Sequence, residues 1–296
     1  MNNTNRRKVL KNLVAGSVAL MGAGSITESF AGKSKNKKKL TLKGNINHSV
    51  CQWCFNGMPL ADLCKAVKEI GFSAIDLIGP KDWPVLQEHG IYSSMCYHGG
   101  KVSLTEGFNK TENHAGLIKD YMEVMPLMVK AGYKDVICFS GSRFGMDDET
   151  GWNNCAAGLK QIVPYAEKNG LTIHMELLNS KVDHKDYMCD KTAWGVELCK
   201  RVGSENFKLL YDIYHMQIDE GDVIRTIKNN HQYIGHYHTA GVPGRHEIDE
   251  TQELYYPAIM KAIIETGYKG YVAQEFIPIA ADKIASLKDS IVRCDV

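Results

Sequence analysis

The chain has 296 residues, with 35 Lys and Arg against 34 Asp and Glu, which gives a formal net charge of +1. Its composition, 44% apolar and 23% charged, is typical of a globular protein and excludes disordered and collagen-like chains. The near-neutral charge carries no signal for binding polyanions, so we expect no nucleic-acid partner and no stable membrane insertion. The length fits one large α/β domain or two small ones.

The N-terminus resembles an export signal. Residues 5–11 (NRRKVLK) match the twin-arginine pattern, and the mildly apolar run 13–24 that follows is too short to span a bilayer. Residues 29–31 (SFA) fit a small-x-small cleavage site. We therefore predict a twin-arginine signal peptide over residues 1–31, cleavage near Ala31 and a periplasmic mature protein; a merely basic terminus is the alternative.

A polar linker is predicted over residues 32–45, where seven residues read KSKNKKK. All 9 cysteines follow this linker, and their odd number and scattered positions do not indicate a disulfide framework. Cys51 and Cys54 form a CxxC pair, but no second pair accompanies them and they end an apolar strand pattern. A structural role is therefore favoured for this pair over a redox or zinc site.

From residue 46 to residue 296 the pattern alternates eight times between a short apolar strand and a helical segment. The predicted strands are 48–53, 73–78, 92–98, 135–140, 172–178, 207–215, 234–240 and 271–277. The predicted helices are 59–71, 81–90, 113–132, 152–170, 192–203, 222–230, 253–267 and 282–294. Eight such units in about 250 residues predict an α/β fold, a single eight-stranded parallel (βα)8 TIM barrel, rather than an open doubly wound sheet.

Ionisable side chains that can bind metals lie near the ends of predicted strands five to eight: Glu176, Asp212, His238 and Glu275. Catalytic groups of such barrels lie at the carboxyl ends of the strands, so these four should converge. Carboxylates on neighbouring apolar strands repel one another unless a cation compensates them. Three carboxylates and one imidazole suit one divalent metal ion, Mn²⁺ or Mg²⁺ ahead of Co²⁺, with Zn²⁺ last. For each residue taken singly, the alternative to a metal ligand is a buried acid or core histidine whose hydrogen bonds are all made within the protein.

Other polar or aromatic residues near the predicted strand ends are candidates for the substrate pocket. Trp53 can supply an apolar wall against a sugar face or pack at the rim, and His98 can line the pocket or cap its strand. His236 should share the inward face of His238, either as a further ligand or as a support for one. The loop residues 179–184 can touch substrate or only fix their loop.

These residues resemble the hydroxypyruvate isomerase branch of the xylose isomerase-like TIM-barrel superfamily, which also includes ketose 3-epimerases. The resemblance covers residues 46–280. The matching segments are Glu176, DIYH at 212–215, GHYH at 235–238, VPGRHE at 242–247 and Glu275. His238 stands where hydroxypyruvate isomerases commonly carry Gln and ketose epimerases carry His, so the resemblance leaves the substrate open.

The resemblance implies a metal-dependent isomerase or epimerase that acts on a small hydroxy-keto compound or sugar through a cis-enediolate. It implies that Glu176 and Glu275 are both metal ligands and the proton-transfer pair. His215 would hydrogen-bond the substrate oxygen at the reacting carbons, and Arg245 would bind a substrate hydroxyl or carboxylate. A histidine that orients a ligand and a solvated loop arginine are the respective alternatives.

Other functions remain open on the same scaffold. A ketose 3-epimerase or another periplasmic sugar-processing enzyme is the nearest alternative. An endonuclease-type metal hydrolase would need more histidines and a basic surface, and a non-catalytic sugar-binding barrel would tolerate the loss of a carboxylate. Export favours a free sugar over the cytosolic metabolite hydroxypyruvate, and homo-oligomer formation is left open.

Overall fold

The computed structural model describes residues 40–98 and 103–296. The export signal predicted over residues 1–31, and the linker up to residue 39, lie outside the described residues. No helix in the two described ranges combines the length and the apolar character needed to cross a membrane.

Eight parallel strands form a closed barrel in which each strand pairs with the next along the chain and β8 pairs with β1. The strands are β1 Asn47–Cys51, β2 Ala74–Ile78, β3 Tyr92–Cys96, β4 Asp135–Cys138, β5 Thr172–Glu176, β6 Phe207–Asp212, β7 Ile234–Thr239 and β8 Tyr271–Gln274. The predicted TIM barrel is confirmed, with all eight strands in place. Most of them end one to three residues earlier than predicted.

Helices follow the strands around the outside of the barrel. They are α1 Leu60–Ile70, α2 Trp83–His89, α3 His114–Ala131, α4 Asp148–Leu159, α5 Val163–Asn169, α6 Thr192–Val202, α7 Ile213–Asp219, α8 Val223–Asn230, α9 Tyr256–Glu265 and α10 Lys283–Cys294. The single helix predicted over 152–170 is wrong, because α4 and α5 divide it. Pro164 lies in the first turn of α5, where its missing N–H costs nothing, whereas the interior of a longer helix would lose a hydrogen bond there.

The strand predicted over 207–215 is also too long, because α7 begins directly after Asp212. The Asp212 carboxylate accepts hydrogen bonds from the backbone N–H of Tyr214, at 2.8 Å, and of His215, at 3.4 Å. A side chain that caps these N–H groups stabilises the start of a helix. His215 therefore lies in the first turn of α7 and not at a strand end.

The barrel interior below the strand ends contains a buried polar group rather than only branched apolar side chains. Asp76 of β2 is fully buried and hydrogen-bonds Ser49 of β1, Ser94 of β3 and His236 of β7. Because β8 and β1 separate β2 from β7 in the closed sheet, the contact between Asp76 and His236 crosses the interior. All nine cysteines are buried thiols outside any disulfide, and Sγ of Cys51 lies 3.7 Å from Nε2 of His238.

Candidate active site

The four predicted metal ligands meet at the carboxyl ends of consecutive strands. Glu176 ends β5, Asp212 ends β6, His238 lies in β7, and Glu275 directly follows β8. All four are buried, and one potential ligand atom from each lies within 4.8 Å of those of the others. The structure thus brings together the set that the sequence singled out, and its metal-binding role stays a prediction.

The ring of His238 is oriented so that its two nitrogens face different surroundings. Nε2 lies 3.1 Å from Oδ2 of Asp76. Nδ1 lies 2.8 Å from Oε2 of Glu275 and 3.3 Å from Oε1 of Glu176, yet it has no hydrogen-bond partner with acceptable geometry among the described residues. A buried nitrogen aimed between two carboxylates in this way is suited to coordinate a cation that the carboxylates also bind.

The electrostatics of the cluster indicate an excess of negative charge. Burial raises the pKa of Glu176, and it raises the pKa of Asp212 to about 8 although Arg245 opposes the shift. Burial alone would lower the pKa of His238, but surrounding negative groups, Glu275 and Asp76 among them, raise it well above its ordinary value. A divalent cation meets the same need, and three carboxylates with one imidazole fit Mn²⁺, Mg²⁺ or Co²⁺.

Glu275 differs from the other two carboxylates because positive groups surround it. Burial would raise its pKa, but Arg245 and His238 outweigh burial and hold the pKa of Glu275 well below its usual range. The Arg245 atom Nη2 lies 2.5 Å from Oε2 of Glu275 and 3.2 Å from Oδ2 of Asp212. Glu275 is therefore the ionised member of the predicted proton-transfer pair, whereas burial favours the protonated form of Glu176.

Two aromatic rings flank Arg245. Its guanidinium carbon lies 5.1 Å from the ring centroid of Trp53 and 5.3 Å from that of Tyr214, distances typical of cation–π contacts. Trp53 lies in the short 3-10 helix Gln52–Phe55, and its indole N–H donates to Oε1 of Glu275 at 2.8 Å. Trp53 thus orients Glu275, a contact that the sequence did not predict, and its role as a wall for a sugar stays a prediction.

His215 approaches the same cluster from α7. Its Nε2 lies 3.5 Å from Oδ2 of Asp212, and its Nδ1 lies 2.6 Å from the side-chain nitrogen of Asn179. Burial and the neighbouring Arg245 hold the pKa of His215 well below its ordinary value, so the ring is neutral near pH 7. A neutral imidazole beside the cluster keeps one N–H donor, and its predicted contact with a substrate oxygen stays a prediction.

His98 contacts α3. Its Nδ1 lies 3.6 Å from Oδ2 of Asp120, and its ring centroid lies 5.1 Å from that of Tyr121. The next four residues, 99–102, lie outside the described part of the chain. The predicted pocket role of His98 therefore stays a prediction.

Asp76 is a candidate site residue that the sequence pattern did not predict. One carboxylate oxygen of Asp76 contacts Nε2 of His236 at 2.6 Å and Nε2 of His238 at 3.1 Å, so it supports both rings. His236 does share the inward face of His238, as predicted, but it contacts Asp76 and does not belong to the group of four ligand atoms. The available signal was an aspartate in the middle of the apolar strand AIDLI, where a buried charge requires partners.

The comparison with known families covers most of the barrel. Residues 64–290 match the model of the xylose isomerase-like TIM barrel family. The chain belongs to this family. Membership agrees with the closed eight-stranded fold and with the resemblance inferred from the strand-end residues.

Curated relatives in sequence are isomerases and epimerases by name. A 2-oxo-tetronate isomerase from Cupriavidus necator is 39% identical over 39% of this chain and 44% of its own length. A human protein named as a putative hydroxypyruvate isomerase is 32% identical over 35% of this chain and 38% of its own. A D-psicose 3-epimerase from Ruminiclostridium cellulolyticum is 26% identical over 61% of this chain and 65% of its own. The matches thus span less than half of the first two relatives.

Solved structures share the fold at low sequence identity. A family 2 AP endonuclease from Brucella melitensis superposes with a TM-score of 0.73 at 22% identity, covering 82% of this chain and 97% of the other. The IOLI protein, described with a binding zinc atom, superposes with a TM-score of 0.67 at 17% identity, covering 84% and 98%. These likenesses establish the barrel and no particular chemistry.

Proposed function

We propose that the protein is a divalent-metal-dependent isomerase or epimerase that moves a proton next to the carbonyl of a small sugar or hydroxy-keto compound. This proposal rests on one observation: three buried carboxylates and Nδ1 of His238 lie together at the ends of four consecutive strands. The names of the sequence relatives, 2-oxo-tetronate isomerase, putative hydroxypyruvate isomerase and D-psicose 3-epimerase, support the same reaction class.

The metal would be held by Glu176, Asp212, His238 and Glu275. When bound, a divalent ion there would stabilise negative charge on neighbouring substrate oxygens. Mn²⁺ or Mg²⁺ suits the mostly oxygen ligands, and Co²⁺ is the next choice. The zinc described in the IOLI protein is a fact about that protein, and metal analysis must decide the ion for this one.

The chain's own residues divide the proton transfer between two glutamates. Ionised Glu275, held by Trp53 and Arg245, is suited to take the proton from the carbon beside the substrate carbonyl. Glu176, whose Oε1 lies 3.3 Å from Nδ1 of His238, is the second carboxyl group available to return the proton. Delivery to the neighbouring carbon, together with transfer of the hydroxyl proton of that carbon to the former carbonyl oxygen, completes an isomerisation; delivery to the opposite face of the same carbon completes an epimerisation.

Donors next to this pair would stabilise the enediolate. His215 and Arg245 both border the carboxylate cluster, and both can donate to substrate oxygens as negative charge develops. The buried position of these donors strengthens each hydrogen bond relative to water. Their supply of N–H groups complements a substrate with adjacent hydroxyl and carbonyl oxygens.

Epimerisation of a ketose is the specific alternative to aldose–ketose isomerisation. The observation that favours it is His238 in the cluster, since histidine at this position resembles the ketose epimerases. A nucleic-acid substrate has less support, because the likeness to an AP endonuclease is one of fold and the net charge is near zero.

A hydrogen-exchange screen tests the proposed function. The Mn²⁺-loaded protein is incubated in D₂O with ketoses, aldoses, hydroxypyruvate and 2-oxo-tetronate, and deuterium incorporation is followed by NMR. We expect deuterium at the carbon next to the carbonyl of one class, with the product distinguishing isomerisation from epimerisation. Absence of exchange across this panel with fully metal-loaded protein would contradict the proposal.

The place of action is proposed to be the periplasm, on the basis of the twin-arginine pattern in residues 5–11. A periplasmic enzyme would meet free sugars rather than cytosolic metabolites. Cell fractionation with an Arg6→Lys, Arg7→Lys variant as control tests this: we expect mature protein in the periplasm for the natural sequence alone. Recovery of both forms in the cytosol would contradict it.

A further inference from the structure

Asn179 has an orientation that its hydrogen bonds determine. It follows Glu176 by three residues, in the loop between β5 and α6, and it is fully buried. Its Oδ1 lies 3.0 Å from the backbone nitrogens of both Val182 and Asp183. Because backbone N–H groups only donate, the side-chain atom that faces them is the carbonyl oxygen, and the amide NH₂ must face the other way.

The NH₂ group of Asn179 has two hydrogens and two acceptors. Nδ2 lies 2.6 Å from Oδ2 of Asp183 and 2.6 Å from Nδ1 of His215. An NH₂ group has no lone pair for accepting a hydrogen bond in this geometry, so Nδ1 of His215 must present its own lone pair. The ring proton of a neutral His215 then resides on Nε2.

The second acceptor is fixed as well, which prevents the amide from rotating. Oδ2 of Asp183 also accepts a hydrogen bond from the hydroxyl of Tyr214 at 2.9 Å. Asp183 is thereby held from two sides, and Asn179 keeps its other hydrogen for His215. The arrangement links the β5–α6 loop to the first turn of α7.

The Nε2–H group of His215 faces the candidate site. This nitrogen is buried, lies 3.5 Å from Oδ2 of Asp212, and has no hydrogen-bond partner within the described ranges. We propose that Asn179 is a positioning residue that fixes His215 as an Nε2–H donor toward the substrate oxygen. This inference rests on the proposed function for its catalytic consequence, but the tautomer itself does not depend on any substrate.

The tautomer can be measured directly in the full chain. Protein labelled with ¹⁵N-histidine gives separate ¹⁵N shifts for protonated and lone-pair ring nitrogens, and a His215→Gln variant identifies the His215 signals. We expect protonated Nε2 and a lone pair on Nδ1 at pH 7.5, with and without Mn²⁺. If Nδ1 of His215 carries the proton in the natural protein, the proposal is wrong and no further variant is needed.

A variant with matched controls tests the part played by Asn179. Asn179→Asp keeps an oxygen for the two backbone N–H groups but places an acceptor against Nδ1; pairing it with Asp183→Asn removes the new repulsion between carboxylates. We expect this double variant to move the ring proton to Nδ1, whereas Asp183→Asn alone leaves it on Nε2. An unchanged tautomer in the double variant contradicts the assignment.

Kinetics on the substrate found by exchange provide the second measurement. We expect kcat of the double variant to fall by about tenfold or more, with KM changed by less than about threefold, because a donor is lost mainly in the transition state. Asp183→Asn alone, which keeps the ring proton on Nε2, should lose less kcat than the double variant. A double variant with a switched tautomer and natural kcat would refute the catalytic consequence, and failure of the exchange screen would refute the proposed function while leaving the NMR result intact.

Discussion

Asp76 Oδ2 and His238 Nε2 lie 3.1 Å apart inside the barrel, and this contact sets the direction of the opposite ring nitrogen. When the ring is neutral and Nε2–H donates to Asp76, the lone pair of Nδ1 points toward Glu275 and Glu176. Asp76 belongs to β2, which β8 and β1 separate from β7 in the closed barrel. The orientation of the predicted metal ligand therefore depends on closure of the barrel.

Replacing Asp76 tests this dependence. Asp76→Asn should lower the affinity for Mn²⁺ by about 10- to 100-fold, the usual effect of removing a carboxylate behind a ligating histidine. Titration calorimetry on purified, folded protein measures the change. Ser94→Ala, which removes a different contact of Asp76, is the control and should keep the affinity within about threefold. Natural affinity in Asp76→Asn would show that the contact does not orient the ligand.

Metal binding should strengthen as the pH rises. The pKa of Asp212 is raised to about 8, and those of Glu176 and His238 are also raised, so protons compete with the metal below that range. The apparent affinity for Mn²⁺ should increase from pH 6 to pH 8.5, by up to about tenfold per pH unit for each proton released. An affinity that is constant or falls over this range would contradict the assigned ligands.

The stability of the metal-free protein should fall as the pH rises, so the stabilisation that Mn²⁺ provides should grow. A carboxyl whose pKa is higher in the folded state stabilises the fold below its unfolded pKa of about 3.9, and this contribution is lost as the pH rises through the folded value. For Asp212 the loss extends to about pH 8. The melting temperature gained on adding Mn²⁺ to EDTA-treated protein should therefore be larger at pH 8.5 than at pH 6. Scanning fluorimetry measures the melting temperature with and without Mn²⁺ at each pH. A gain that shrinks as the pH rises would refute the prediction.

The indole N–H of Trp53 should influence the ionisation of Glu275. Trp53→Phe keeps an aromatic face toward Arg245 but removes the 2.8 Å hydrogen bond to Glu275. Since that bond lowers the pKa of Glu275, its loss should raise the pKa and move the acidic limb of the kcat profile to higher pH. We expect kcat to fall on the acidic limb and to change little at pH 7, where Arg245 and His238 still hold Glu275 ionised. An unchanged pH profile would assign Trp53 to packing or substrate contact alone.

The fold and the four clustered side chains were predictable because both follow local rules. Alternation of strand and helix patterns specifies the barrel, and parallel strands bring Glu176, Asp212, His238 and Glu275 to one end. Contacts across the interior were not predictable in the same way. Asp76 was not predicted, and only the closure of the barrel shows that it reaches His238.

Other errors have equally specific causes. The strand through His215 was drawn too long because the cap formed by Asp212 depends on side-chain geometry that strand periodicity does not contain. The break between α4 and α5, which precedes Pro164, was missed because apolar spacing continues across it. The pairing of Arg245 with Glu275 depends on the path of a loop whose composition does not specify its direction.

Proton exchange by glutamate variants tests the central claim most directly. With the substrate found in D₂O and saturating Mn²⁺, Glu176→Gln and Glu275→Gln should each lose turnover by at least about 100-fold, since an amide cannot transfer the proton. Circular dichroism should show the natural fold, and mass spectrometry of the natural protein should find one Mn or Mg per chain. If either variant retained natural exchange and turnover while folded and metal-loaded, the assignment of the two glutamates as the proton-transfer pair would be wrong.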